Sequence, residues 1–135
     1  MSVFGFLLLK KWGSQSSDIP GVSSMENPLP PCPDSPNCIR TTKQIDHPVN
    51  SVLVASSQAI KFMGPIEMTV SEKIYKIEAV FRVILFKDDM VLKLTKRNTS
   101  STYLHIRSAS RVGKNDFGVN SRRVKKFLQH LLDHI

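Results

Sequence analysis

The sequence predicts an α+β domain: an antiparallel sheet of three or four strands, with an N-terminal and a C-terminal helix packed on one face. Three observations predict it. Apolar residues recur at helical spacing in two separated stretches, 49–63 and 124–135. Between them, residues 75–110 alternate apolar and polar side chains with a period of two, interrupted by polar turns. The 135 residues are 41% hydrophobic and 22% charged, which suits one domain with a modest core.

Residues 1–31 read as an apolar tip followed by a disordered Ser/Pro linker, and residues 32–135 as the single domain. Irregular loop is expected through residue 47, because Pro28, Pro30, Pro31, Pro33 and Pro36 remove backbone donors and break helices. Regular structure is expected from near Asp46. Pro48 suits the first turn of a helix capped by Asp46 or His47, and Val49, Val52, Leu53, Ile60 and Met63 form its apolar stripe. Gly64-Pro65 ends it.

A strand is expected over Ile66–Val70. In the next, Tyr75, Ile77, Ala79, Phe81, Val83 and Leu85 share one face, opposite Lys76, Glu78 and Arg82. Lys87-Asp88-Asp89 is expected to turn the chain into a strand carrying Met90, Leu92 and Leu94 inward. Asn98–Ser101 is expected as a polar turn, and Thr102–Ser110 as the last strand. The final helix is expected from about Asn120, with Val124, Phe127, Leu128, Leu131 and Ile135 buried.

Formal net charge is +8, and its distribution is uneven. Residues 1–86 hold 8 Lys/Arg and 7 Asp/Glu, whereas residues 87–135 hold 11 and 4. The C-terminal part therefore favours an anionic small molecule or an acidic surface. Nucleic acid fits less well, since aromatics are only 7% and no RNP-like strand or helix-turn-helix pattern accompanies the basic helix. No transmembrane helix is predicted: the longest apolar run, Val3–Leu9, falls far short of the roughly 20 residues a span needs. Lys10 and Lys11 follow that run rather than precede it, so it makes a poor signal peptide. A tail, an interfacial anchor with Trp12 at the headgroups, and a degraded export signal all fit it.

The chemistry-bearing residues gather where the last strand should hand over to the last helix. Parity places Leu104, Ile106 and Ser108 toward the core, and Tyr103, His105, Arg107 and Arg111 on the solvent side. Gly113 and Gly118 permit tight turns, and Asn120 is expected as the N-cap. Arg122, Arg123, Lys125 and Lys126 then occupy the first two turns, where the helix macrodipole is already positive and disfavours cations. Negative charge should offset this, either from Asp116 as a structural partner or from a bound anion held by Arg107, Ser108, Ser110, Arg111, Asn120 and Arg123. In the bracing alternative those arginines are taken up by Asp116 and main-chain carbonyls. No catalytic residue is assigned: Ser108 and Ser110 lack a base, since His105 projects from the opposite face of their strand.

Cys32 and Cys38 enclose five residues, two of them prolines, and can close a small disulfide ring in an oxidising compartment. Reduced thiols in a cytosolic loop, or a metal pair joined by His47, are the alternatives; the spacing is wider than that of zinc-finger pairs, and no metal is assigned. His130 and His134 share a helix face but lack the intervening Glu of a zincin, and they read as exposed histidines at a helix end. No cofactor is assigned, because no Walker loop, GxGxxG turn or EF-hand loop occurs.

The segment Cys32-Pro33-Asp34-Ser35-Pro36-Asn37-Cys38, together with Arg107, Ser108, Ser110, Arg111, Gly113, Asp116, Gly118, Asn120 and Arg123, resembles the paired motifs of domain-of-unknown-function family 1499. Ser121 departs from that pattern, standing where the family usually has arginine, with Arg122 next to it. The resemblance implies a compact domain, often found behind an export signal or lipoprotein anchor in bacteria, and supplies no established activity. The chain thus reads as a small binding or structural module of the periplasm or cell envelope with an anion-binding turn, a cytoplasmic location being the alternative. The alternative functions are an enzyme acting on a phosphorylated or carboxylated small molecule and a basic nucleic-acid-binding domain.

Overall fold

The computed structural model describes residues 26–34, 36–113 and 116–135. The apolar run Val3–Leu9, Trp12 and the serine-rich stretch after it lie outside the described residues, as does Ser35 of the first motif. Among the described residues the order is β1 (Cys38–Ile45), α1 (Val49–Phe62), β2 (Glu67–Ser71), a single 3-10 turn (Glu72–Ile74), β3 (Lys76–Val83), β4 (Phe86–Asn98), β5 (Ser101–Ser110) and α2 (Val119–His134). The strands form one antiparallel sheet in the order β1-β5-β4-β3-β2.

The fold class is α+β, with five strands where three or four were expected. The extra strand, β1, lies in the stretch its prolines marked as loop. Those prolines end at Pro36, and the following Cys38–Ile45 pairs residue for residue with β5, from Cys38 opposite Ala109 to Ile45 opposite Thr102. Prolines upstream did not stop pairing that starts two residues later.

The inward face of the sheet and the apolar stripes of both helices form one core. Ile77, Ala79 and Phe81 of β3, Met90, Leu92 and Leu94 of β4, and Leu104 and Ile106 of β5 meet Val52, Ala59 and Ile60 of α1 and Val124, Phe127 and Leu131 of α2. Phe127 and Leu131 are fully buried, and each such side chain contributes about 2–3 kcal/mol to stability by leaving water.

The start of α1 differs from expectation. Its N-cap is Pro48, whose carbonyl accepts the Val52 amide at 3.0 Å, and neither Asp46 nor His47 caps it. The turn between β3 and β4 also differs. It falls on Ile84-Leu85, between the paired Val83 and Phe86, so Lys87, Asp88 and Asp89 lie within β4. The apolar alternation runs into the turn itself, which hid it.

The face of the sheet away from the helices is partly covered. Asn27 donates from Nδ2 to the Thr41 carbonyl at 2.9 Å and to Thr42 Oγ1 at 3.1 Å, and Arg40 donates to the carbonyls of Leu29 and Asn27. Beneath this strap His105 is fully buried between Thr42 Oγ1, 2.8 Å from Nδ1, and Thr95 Oγ1, 3.1 Å from Nε2. Tyr103, expected on a wet face, is 2% exposed for the same reason.

Candidate functional site

β5 sends alternate residues of the Arg107–Arg111 run to opposite sides of the sheet, so the side chains of the second motif divide into two groups. On the outer side, Arg107 donates from Nε to the Pro30 carbonyl at 2.9 Å and from Nη2 to the Pro31 carbonyl at 3.5 Å. Arg111 forms a two-pronged pair with Asp89, both contacts at 2.9 Å, and this holds its guanidinium pKa above the ordinary value.

On the inner side, Asn120 is the hub. Its Oδ1 accepts Ser108 Oγ at 2.6 Å and Arg123 Nη1 at 2.8 Å. Its Nδ2 donates to Asp116 Oδ2 at 2.7 Å, Ser110 Oγ at 3.0 Å and the Asn37 carbonyl at 3.2 Å. Asn37, from the first motif, returns across the loop: its Nδ2 donates to the Gly113 carbonyl at 2.5 Å, and its carbonyl also accepts the Ser110 amide at 3.0 Å. Cys32 and Cys38 form a disulfide, with their Cα atoms 5.7 Å apart, that closes the loop carrying Asn37. Both motifs therefore meet at one buried cluster.

Arg123 completes the cluster from α2. Its Nη1 lies 2.8 Å from Asp88 Oδ2, an ion pair by charge and distance rather than an aligned hydrogen bond, and its guanidinium sits 4.8 Å from the centre of the Phe81 ring. The two side chains are only 8% and 3% exposed, so each charge depends on the other.

The helix start differs from the expected one. Gly118, at φ 79°, is the N-cap, and Asn120 is inside the helix with its side chain turned into the cluster. A Cβ on Gly118 would lie 2.9 Å from Arg122 Nη1, so both space and backbone favour glycine. Asp116 takes the capping role: Oδ1 accepts the Gly118 amide at 2.8 Å and Oδ2 the Asn120 amide at 2.9 Å. Burial alone pushes the Asp116 carboxyl up, but the hydrogen bonds from the Asn120 amide, the Asn120 side chain and the Gly118 amide outweigh it and hold the pKa below the usual carboxylate value. The negative charge that the basic first turns of α2 call for thus comes from Asp116 and Asp88.

Of the residues expected around an anion, the fold brings together Ser108, Ser110, Asn120 and Arg123, with Asp116. It places Arg107 and Arg111 on the other face, because residues at odd separation from Ser108 and Ser110 along a strand cannot share their side. Asp88, Asn37 and Phe81 were not expected here. Asp88 shares the parity of Met90, Leu92 and Leu94, a signal for an inward carboxylate that its polar neighbours obscured.

A depression of about 290 Å³ lies over β2, β3 and β4, lined by residues 67–69, 78–80 and 89–91. Glu67, Glu78 and Asp89 make it acidic, the wrong sign for an anion. At the end of α2, the His134 ring sits 2.8 Å from the His130 carbonyl through Nδ1, and the His130 ring packs edge-on against Phe62.

Residues 28–131 match the family described as a protein of unknown function (DUF1499), and the chain belongs to that family. No curated protein matches the sequence. Among solved structures, the chain is similar to the di-domain aromatase/cyclase StfQ of the steffimycin biosynthetic pathway, at 10% identity and a TM-score of 0.57 over 70% of this chain and 44% of StfQ. It is also similar to the Zhui aromatase/cyclase from Streptomyces sp. R1128, at 8% identity and a TM-score of 0.46, over 71% of this chain and 84% of that one. A START superfamily protein from Mycobacterium smegmatis aligns at 13% identity with a TM-score of 0.42, over 72% and 90% of the two chains. The likeness to StfQ is one of fold: a sheet with helices across one face.

Proposed function

We propose that this DUF1499 member is a small non-catalytic binding module of the cell envelope, in which the paired motifs clasp the fold and leave recognition to the surface. The observation that carries this is the saturation of the motif side chains. Arg123 is held by Asp88 and Asn120, Arg111 by Asp89, and Arg107 by the carbonyls of Pro30 and Pro31. A guanidinium already engaged by a carboxylate must give up that partner before it can take an anion, which weakens any such site. Ser108 donates to an amide oxygen, and His105 is on the opposite face of β5 between two threonines, so neither hydroxyl chemistry nor general-base chemistry has its partner. The Cys32–Cys38 disulfide supports an oxidising compartment.

Thermal melts test this reading, with wild type and Arg111→Ala compared in chloride, phosphate and sulfate at matched ionic strength. The expected result is a melting temperature indifferent to which anion is present, with Arg111→Ala close to wild type because its pair with Asp89 is exposed. Saturable stabilisation of the wild type by phosphate or sulfate, lost in Arg111→Ala, would instead establish the anion site.

A further inference from the structure

We infer that the β3–β4 hairpin tip is a docking point for an anionic lipid surface, with its apolar residues entering the interface and flanking cations resting at the headgroups. This rests on the domain being a non-catalytic binding module. Ile84 and Leu85 form the two-residue turn and are 83% and 82% exposed; Phe86 beside them is 55% exposed. Such turns favour Asn, Asp or Gly, because the backbone must enter the left-handed region. Here Ile84 occupies it at φ 58°, an unfavourable conformation for a β-branched side chain. The turn carries apolar bulk where turn chemistry alone would select against it.

The tip has apolar company at the same end of the sheet. The Arg111 amide donates to the Lys87 carbonyl at 3.0 Å, so Val112, 54% exposed, follows next to the hairpin. Phe117, 81% exposed and also at positive φ, lies in the turn leading into α2. Single exposed apolar residues are ordinary, but a run of three on a protruding turn with two more at the same end marks a contact surface. Arg82 and Lys87 face each other across the hairpin just behind the tip, and the exposed Arg122 is in the first turn of α2.

Charge selects the occupant. A second copy of the chain would set the same cations against one another, and the protein already carries a net charge of +8. A convex apolar tip ringed by cations offers no groove for a peptide, whereas it suits a deformable anionic interface that accepts side chains beneath its phosphates.

Vesicle co-sedimentation of the full chain tests this, with phosphatidylcholine alone and with equal parts phosphatidylcholine and phosphatidylglycerol. The expected result is binding to the anionic vesicles only, weakened by salt. The double variant Ile84→Asp/Leu85→Asp should lose at least about tenfold in partitioning at an unchanged melting temperature. Arg82→Glu/Lys87→Glu, which leaves the apolar tip intact, should weaken anionic-vesicle binding as well. Overturning results would be no vesicle binding, equal binding to neutral and anionic vesicles, tip variants that bind like wild type, or a dimer abolished by the tip variant. Any of these with melts indifferent to phosphate leaves the module reading in place. Phosphate-dependent stabilisation would overturn that reading instead.

Discussion

The Asn120 side-chain amide reaches the Asn37 carbonyl, 83 residues earlier in the chain, at 3.2 Å. That contact joins the disulfide loop before β1 to the first turn of α2, so the two ends of the folded region are locked to each other through β5. Asn120 is fully buried and bonds on both sides of its amide, which makes it costly to replace.

Asn120→Ala is expected to lower unfolding free energy by about 2–4 kcal/mol, since it strands the Ser108 hydroxyl and removes a partner from Arg123 and Asp116. Urea titration at neutral pH measures it. A loss within about 0.5 kcal/mol, typical of a surface change, would show that the hub is not structural.

Much of this arrangement was legible in the sequence. Parity along 102–110 placed Ser108 with Leu104 and Ile106, and the helical spacing of Val124, Phe127 and Leu131 marked the face of α2 that is buried. The cluster itself was not legible, because it depends on which strand neighbours β5. Asn37 and Asp88 reach Asn120 and Arg123 only because β1 and β4 flank β5, and no local pattern states that order. Arg107 and Arg111 were grouped with Arg123 by nearness in sequence, whereas strand parity separates them. The covered outer face was hidden for a related reason: Asn27–Pro31 is bound by main-chain hydrogen bonding, which composition does not reveal.

His105 makes stability depend on pH. Burial, with lesser contributions from Arg40 and Lys93, lowers its pKa from 6.5 to about 4. Between these values the unfolded chain binds the proton and the folded chain resists it, so stability is fully present above pH 6.5 and lost as pH falls toward about 4. The shift corresponds to roughly 3 kcal/mol. Unfolding curves across this range should show the loss in wild type and a flatter profile in His105→Gln; identical profiles would exclude His105 as the source.

The disulfide loop should matter through the same cluster. Reducing Cys32–Cys38 is expected to cost about 2 kcal/mol by the loop-entropy account, lowering the melting temperature without abolishing the fold. Melts with and without a reductant check this, and an unchanged midpoint would detach the loop from the stability of the domain.

The most direct test of the clasp is a double-mutant cycle on Asp88 and Arg123, read by urea unfolding. Removing either partner strands a buried charge, so Asp88→Ala and Arg123→Ala should each cost about 3–5 kcal/mol. The double variant should cost clearly less than the two singles together, with a coupling of at least about 1 kcal/mol. Additive losses, or singles that leave stability near wild type, would contradict the account and return Arg123 to the pool of residues free to hold a ligand.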